Sequence, residues 1–249
     1  TFTVSDGTTT TSSTITFTIN GENDAPTASD NTVTTNEDTD HTFAASEFGF
    51  TDVDGDSLNH VTIETLPSNG TLLLSGVAVS AGDEISAADI TNLVFRPAAN
   101  ANGSDYDSFT FSVNDGTADS SSTYTMTVDV DAVNDAPTAS DNTVTTNEDT
   151  DHTFAASEFG FTDVDGDSLN HVTIETLPSN GTLLLSGVAV SAGDEISAAD
   201  ITNLVFRPAA NANGSDYDSF TFSVNDGTAD SSSTYTMTVD VDAVNDAPT

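Results

Sequence analysis

The sequence predicts an all-β fold: tandem Greek-key β-sandwich domains strung in an extended end-to-end array. Three observations carry that prediction. Residues 23–133 recur unchanged as residues 134–244, a period of 111 residues, which lies in the range of an autonomous domain rather than a short solenoid unit. Within each repeat Phe, Val, Ile and Leu alternate with polar residues over short runs, the period-two signature of half-buried strands. Gly, Asn and Asp turn signals separate those runs, and no segment is long and periodic enough for a substantial helix. The chain therefore divides into residues 1–22, a first repeat 23–133, a second repeat 134–244, and 245–249 as the start of a further linker.

Residues 1–22 place Phe2 and Val4 on one face before the turn signal Asp6-Gly7, and Ile15, Phe17 and Ile19 on one face after it. They predict a hairpin. The same pattern closes each full repeat, with Phe109, Phe111 and Val113, then Asn114-Asp115-Gly116, then Tyr124, Met126, Val128 and Val130. The opening segment thus reads as the last two strands of a truncated preceding repeat, expected to be poorly ordered or to borrow a neighbouring molecule's sheet.

Inside a repeat, strands are expected at 32–35 and 41–43, followed by one helical turn at 44–48 and an acidic loop, Asp52 to Asp56. Strands at 60–65, 71–74 and 77–79 flank the turn Pro67-Ser68-Asn69-Gly70. Ser86 to Asp89 has capping-box spacing and starts a short helical turn. A strand at 93–95 is stopped by Pro97, and a loop at 98–107 leads into the closing hairpin. About seven short strands in about 100 residues is the pattern of an immunoglobulin-type sandwich.

Composition narrows the chemistry. There are 41 acidic residues against two arginines and no lysine, a formal net charge of −39. Such a chain cannot bind nucleic acid by neutralising phosphates, and it calls for a cationic partner. Outside the repeats the acids are Asp6, Glu22 and Asp246, so the charge belongs to the repeat and not to a tail. Hydrophobic residues make up 35%, enough for a thin core when they alternate this regularly. No cysteine is present, so a divalent metal is the cross-link such domains would draw on. No apolar run reaches membrane-spanning length and no leader opens the chain, so export and anchoring signals are expected elsewhere.

Calcium takes six to eight hard oxygen ligands, and the acidic motifs supply them. They are Glu37 after the first strand; Asp52, Asp54 and Asp56 in DVDGD; Asp105 and Asp107 in SDYD; and Asp115 in NDG. The junction VDVDAVNDAPT adds Asp131, Asn134 and Asp135. Crowded carboxylates with almost no basic side chain nearby need a cation between them. DVDGD differs from an EF-hand loop, which wants glycine and glutamate where this chain has Ser57 and Ile63. The histidines lack a metal-spaced partner and read as strand-surface residues, Arg96 as the partner of a local carboxylate, and the Asn-Gly pairs at Asn69 and Asn102 as turns.

Taken together, these motifs resemble the cadherin-like repeats of large bacterial surface adhesins, of tandem-95 or RTX-adhesin type. VDAVNDAP is similar to the cadherin linker, Glu37 in NEDT to its early calcium-binding glutamate, SDYD to its central acidic motif and DVDGD to its downstream one. The resemblance implies calcium joints with ligands from upstream base, linker and downstream tip. Carried over, the central joint would use Glu37, Asp105, Asp107, Asp131, Asn134, Asp135, Asp163, Asp165 and Asp226. The first junction would hold Asn23 and Asp24 with Asp52, Asp54 and Asp115, and the third Glu148, Asp216, Asp218, Asp242, Asn245 and Asp246; both are expected to be incomplete. The linker departs from the pattern by an extra residue between Asp131 and Asn134 and by Ala136 in place of a second asparagine.

The resemblance implies an extracellular, non-enzymatic spacer of a secreted or cell-surface adhesin, stiffened by calcium and binding glycans or host and biofilm surfaces only through other parts of the parent protein. Two other classes remain open from the residues. One is a recognition module for polysaccharide or protein, for which Tyr106 and Phe50 are the loop aromatics; the other is a filament built by strand exchange through residues 1–22.

Overall fold

Alternating strands become a sandwich when their apolar sides close on a second apolar face. The computed structural model, which describes residues 1–245, shows this twice. The chain divides into two units, Thr1–Ala132 and Val133–Thr249.

The first unit begins with β1 (Phe2–Ser5) and β2 (Thr10–Ser13), then β3 (Asn31–Asn36), β4 (His41–Thr42), β5 (His60–Ile63), β6 (Thr71–Leu74) and β7 (Val77–Ala78). It ends with β8 (Glu84–Ser86), β9 (Leu93–Arg96), β10 (Gly103–Asn114) and β11 (Tyr124–Asp131). One sheet has the order β3-β11-β10-β5-β8 and the other β4-β9-β6-β7. All pairings are antiparallel except β3 on β11, which is parallel. That parallel pair lays the first strand of the sandwich beside its last.

Between the sheets the alternation resolves into a phenylalanine core. Phe43, Phe48, Phe95, Phe109 and Phe111 are fully buried, with Met126, Val128 and Val130 supplied by every second residue of β11. Phe43 meets Phe109 edge-on at 5.6 Å and Phe48 meets Phe111 at 4.9 Å, arrangements that contribute about 0.5–1.5 kcal/mol each beyond area burial. At the Pro67–Gly70 turn only glycine fits the last position, because a Cβ on Gly70 would sit 2.2 Å from Phe95 Cζ.

The second unit repeats this element for element. Its strands are β12 (Asn142–Asn147), β13 (His152–Thr153), β14 (His171–Ile174), β15 (Thr182–Leu185), β16 (Val188–Ala189), β17 (Glu195–Ser197), β18 (Leu204–Arg207), β19 (Gly214–Asn225) and β20 (Tyr235–Asp242). Their sheet orders are β12-β20-β19-β14-β17 and β13-β18-β15-β16.

Three local expectations change. First, the predicted loop 98–107 is strand from Gly103, with a register shift between Gly103 and Asp107. Asp105 sits inside that bulge at φ 48°, and a bulge hides the alternation that would have marked the strand. Second, Glu84–Ser86 is an edge strand, and the short helix begins later, at Ile90; with Ile85 as its only buried side chain, the strand is too short to show a period. Third, the opening hairpin pairs Phe2 with Ser13, not with the Ile15 to Ile19 run. Asp6 Oδ1 accepts the N–H groups of Thr8 and Thr9 at 2.8 and 2.7 Å and closes a tight turn. The register follows that turn because no second apolar face in this unit competes for it. Phe17 and Ile19 are 82% and 92% exposed.

Candidate metal centre

Within each repeat the predicted ligands fall into two groups at opposite ends of the long strand β10 or β19. Gly103 of β10 pairs with Val130 near the end of β11, whereas Asn114, next to Asp115, pairs with His60. The linker Asn23-Asp24 lies at the Asp115 end, and Glu37, Asp131 and Asp105 lie at the other.

The Asp115 end is built from the loop 52–56. Asp52 Oδ1 accepts the N–H groups of Asp54 and Asp56 at 2.8 and 3.0 Å, an Asx-type turn that Gly55 completes at φ 87°. Folding the loop this way brings one carboxylate oxygen from each of Asp52, Asp54 and Asp56 within 4.8 Å of one another. The linker is fastened onto it. Asp24 N–H donates to Asp54 Oδ2 at 2.7 Å, and Thr27 and Thr51 exchange backbone hydrogen bonds at 2.8 Å. Asn23 Nδ2 donates to Asp115 Oδ2 at 3.0 Å, and Asp115 Oδ1 takes the N–H groups of Thr117 and Ala118. The Asn23 amide, with those N–H groups, holds the Asp115 carboxyl below its usual range.

The second repeat makes these bonds apart from the one onto the first loop aspartate from the residue two places on, and among the described residues the close group of three carboxylates is that of Asp52, Asp54 and Asp56. Asn134 Nδ2 donates to Asp226 Oδ2 at 3.1 Å, Asp135 N–H to Asp165 Oδ2 at 2.7 Å, and Asp167 N–H to Asp163 Oδ1 at 3.0 Å. At Asp226 desolvation pushes the carboxyl up, but the N–H groups of Ala229 and Thr228 and the Asn134 amide leave it lowered. The Asn23 and Asn134 linkers are thus fastened alike within their own sandwiches. The expected contrast between a complete central junction and an incomplete first one does not extend to this half of the ligand set.

One atom in each cluster stands out. Asp52 Oδ2 and Asp163 Oδ2 are buried and accept no hydrogen bond, a state that costs about 1–3 kcal/mol or more for a charged group. Neither arginine is near enough to answer them. Arg96 is committed to Asp40 through two bonds of 2.8 and 2.7 Å, and Arg207 to Asp151 likewise. A cluster of hard carboxylate oxygens with a buried lone pair left over fits calcium by donor type.

At the other end, Glu37 is buried, its N–H donates to Asp131 O at 2.9 Å, and its Oε2 accepts Asn102 Nδ2 at 3.1 Å. Asp105 N–H donates to Asp129 Oδ1 at 2.7 Å. In the second repeat Glu148, Asp216 and Asp242 take these positions, with Asn213 and Asp240 as the partners. Asn102, Asn213, Asp129 and Asp240 lie outside the predicted set. Nothing in their local sequence marks them, since their role comes from a bulge and a cross-strand neighbour. Asp246 lies outside the described residues.

Asp107 and Asp218 depart from the predicted ligand group. Asp218 Oδ1 accepts the N–H groups of Ser179 and Ser219 at 2.9 Å, and Oδ2 those of Asn180 and Gly181 at 2.6 and 2.8 Å. Asp107 does the same for Ser68, Ser108, Asn69 and Gly70. Both oxygens are spent on a turn, which leaves these two as turn anchors. Burial pushes their carboxyls up, yet the four N–H groups pull harder, and both end below the usual range.

The other singled-out residues have local partners. His41 Nε2 lies 3.4 Å from Glu47 and His60 Nε2 4.0 Å from Asp119. Tyr106 and Phe50 pack against the core, and the Tyr106 hydroxyl donates to Asn69 O. No helix among the described residues is long and apolar enough to cross a membrane.

Comparison with known proteins finds one family match and several solved structures that align with the chain. No curated protein matches the chain. Solved structures that align with the chain include human protocadherin-24 EC1-2, at 16% identity and TM-score 0.48, covering 87% of this chain and 95% of that one. Drosophila N-cadherin EC1-4 matches at 15% identity and TM-score 0.44, covering 88% and 50%. An endo-fucoidan hydrolase of glycoside hydrolase family 107 matches at 19% identity and TM-score 0.30, covering 92% of this chain, which spans 30% of that enzyme's length. The family described as "Bacterial Ig domain" (Big_9) matches residues 23–130 and again 134–241. The chain belongs to the bacterial Ig domain family, which it carries as two tandem copies.

Proposed function

We propose that this chain is a calcium-stiffened extracellular spacer, a non-enzymatic module of a large bacterial surface adhesin that holds a binding region away from the cell. The observation that carries the reading is the buried, unaccepting oxygen of Asp52 and of Asp163, each in a loop to which the preceding linker is already fastened, with Asp52 also in a close group of three carboxylates. Asp52, Asp54, Asp56, Asp24, Asn23 and Asp115 would hold the ion in the first repeat. Asp163, Asp165, Asp167, Asp135, Asn134 and Asp226 would do so in the second. The ion supplies positive charge to crowded carboxylates and binds only the ordered arrangement, so it stabilises the linker's docked state over its free one. Glu37, Asp131 and Asp105, and in the second repeat Asp242 and Asp216, would be further donors to the joint. Titrating calcium while following the melting curve, with small-angle scattering in calcium and in chelator, tests this reading. Equal melting temperatures and equal maximum dimensions in both conditions would overturn it.

A second reading rests on a different observation. Phe2, Val4, Ile15, Phe17 and Ile19 form an exposed apolar stretch, which favours pairing with a second copy of the chain. A mass in calcium that does not change with concentration would exclude that.

A further inference from the structure

We infer that Glu148, positioned by Asn213, is a metal-independent latch that holds the exit linker of its own sandwich. The inference deepens the spacer reading and rests on it for its purpose, though not for its geometry.

Glu148 is 6% exposed. It follows the last residue of β12, and its N–H donates to Asp242 O at 2.8 Å, so its backbone is locked to the end of β20. Its two carboxylate oxygens then have separate tasks. Oε2 accepts Asn213 Nδ2 at 3.1 Å, and Oε1 accepts the backbone N–H of Val244 at 2.6 Å. Val244 lies two residues beyond the strand, in VDAVNDAPT, where the chain has no ladder partner to hold it. A short hydrogen bond from a main-chain N–H to a buried carboxylate is among the stronger neutral-to-charged contacts. It fixes the direction in which the chain leaves the sheet.

This differs from the role the resemblance implies for the same residue, which is calcium ligation. In the structure Glu148 satisfies both oxygens with protein donors. Asn213 has the reciprocal job: its amide donates to one oxygen, leaving the other oriented toward Val244. Neither residue has a basic neighbour to replace these donors, since Arg207 is paired with Asp151.

The test is amide hydrogen exchange on the full chain, followed at Val244 by NMR and carried out in chelator. With the latch, Val244 N–H exchanges slower than its neighbours in the linker by roughly tenfold to a hundredfold, the protection expected from one charge-assisted bond. Glu148→Gln and Asn213→Asp each abolish that protection. The first weakens the acceptor, and the second sets a like charge against the buried carboxylate. In both variants the β19 and β20 amides stay protected, which separates loss of the latch from loss of the fold. Should Asn213→Asp unfold the repeat, Asn213→Ala serves in its place and loses protection at Val244 alone. Val244 exchanging at the free-chain rate in wild type with chelator, and slowing only when calcium is added, overturns the latch while leaving the calcium reading intact. Protection in chelator with no response to calcium anywhere overturns the calcium reading and leaves the latch.

Discussion

Asp218→Asn should cost the second repeat about 3 kcal/mol, and the loss should not depend on calcium. In wild type four backbone N–H groups converge on the two carboxylate oxygens, at 2.6 to 2.9 Å. Asparagine keeps one oxygen and two of those bonds. Its amide nitrogen turns donors toward the two N–H groups that remain. Losing two charge-assisted bonds at about 1.5 kcal/mol each gives the total. For a domain of this size that lowers Tm by roughly 10–20 °C. Because the first repeat is untouched, calorimetry should show two transitions, one near the wild-type temperature and one displaced. The comparison in chelator decides the role. A turn anchor gives the same displacement with and without calcium, whereas a calcium ligand would lose its deficit once the metal is removed. A displacement under about 2 °C in chelator, with a full one in calcium, would refute the anchor. The pH dependence has a definite sign. The folded carboxyl lies below its ordinary value, so the wild-type advantage is fully present above the usual aspartate range. It is lost as pH falls through the folded value.

Other substitutions probe neighbouring claims. Asp163→Asn should leave stability in chelator unchanged or slightly raised, since it removes an unanswered buried charge, and should remove the calcium-induced gain, about 2.7 kcal/mol at a hundredfold excess over Kd, from the second transition. Arg207→Ala should move the urea midpoint only slightly despite its two good bonds to Asp151, because the pair is exposed, and that shift should shrink further in high salt. Gly181→Ala should destabilise by about 3 kcal/mol, measured by the same midpoints, because the added Cβ would lie 2.2 Å from Cζ of the fully buried Phe206 ring.

How much of this was legible in the sequence depended on whether the signal was periodic. Phe109, Phe111, Val113, Met126, Val128 and Val130 declared the closing hairpin by alternation, and all are buried. The strand from Gly103 did not declare itself, because the bulge around Asp105 shifts the period partway along. In residues 1–22 alternation gave the wrong register. There the period-two pattern says which residues would share a face, but not whether a second face exists to receive them, and the Asp6 turn settled the pairing. The acidic motifs were legible as oxygen donors. Their sorting was not, since it depends on which N–H groups the fold aims at each carboxylate.

That sorting limits what the charge can mean. Most of the acids that could be placed have protein partners: Asp107 and Asp218 hold turns, Asp40 and Asp151 hold the arginines, and Asp30 and Asp83 take the N–H groups of Thr125 and Ser80. A carboxylate with two or more N–H donors is stabilised as an anion where it stands and creates no demand for a cation. Net charge therefore overstates the appetite for metal. On the proposed reading the demand would fall where a carboxylate oxygen is buried and unanswered, and Asp52 and Asp163 are such positions in corresponding loops. Both lie one hydrogen-bonded contact from the linker, through the loops in which Asp54 and Asp165 receive Asp24 and Asp135. On the proposed reading a cation drawn there would act on the linker directly, and these few residues would decide where its stiffness is controlled.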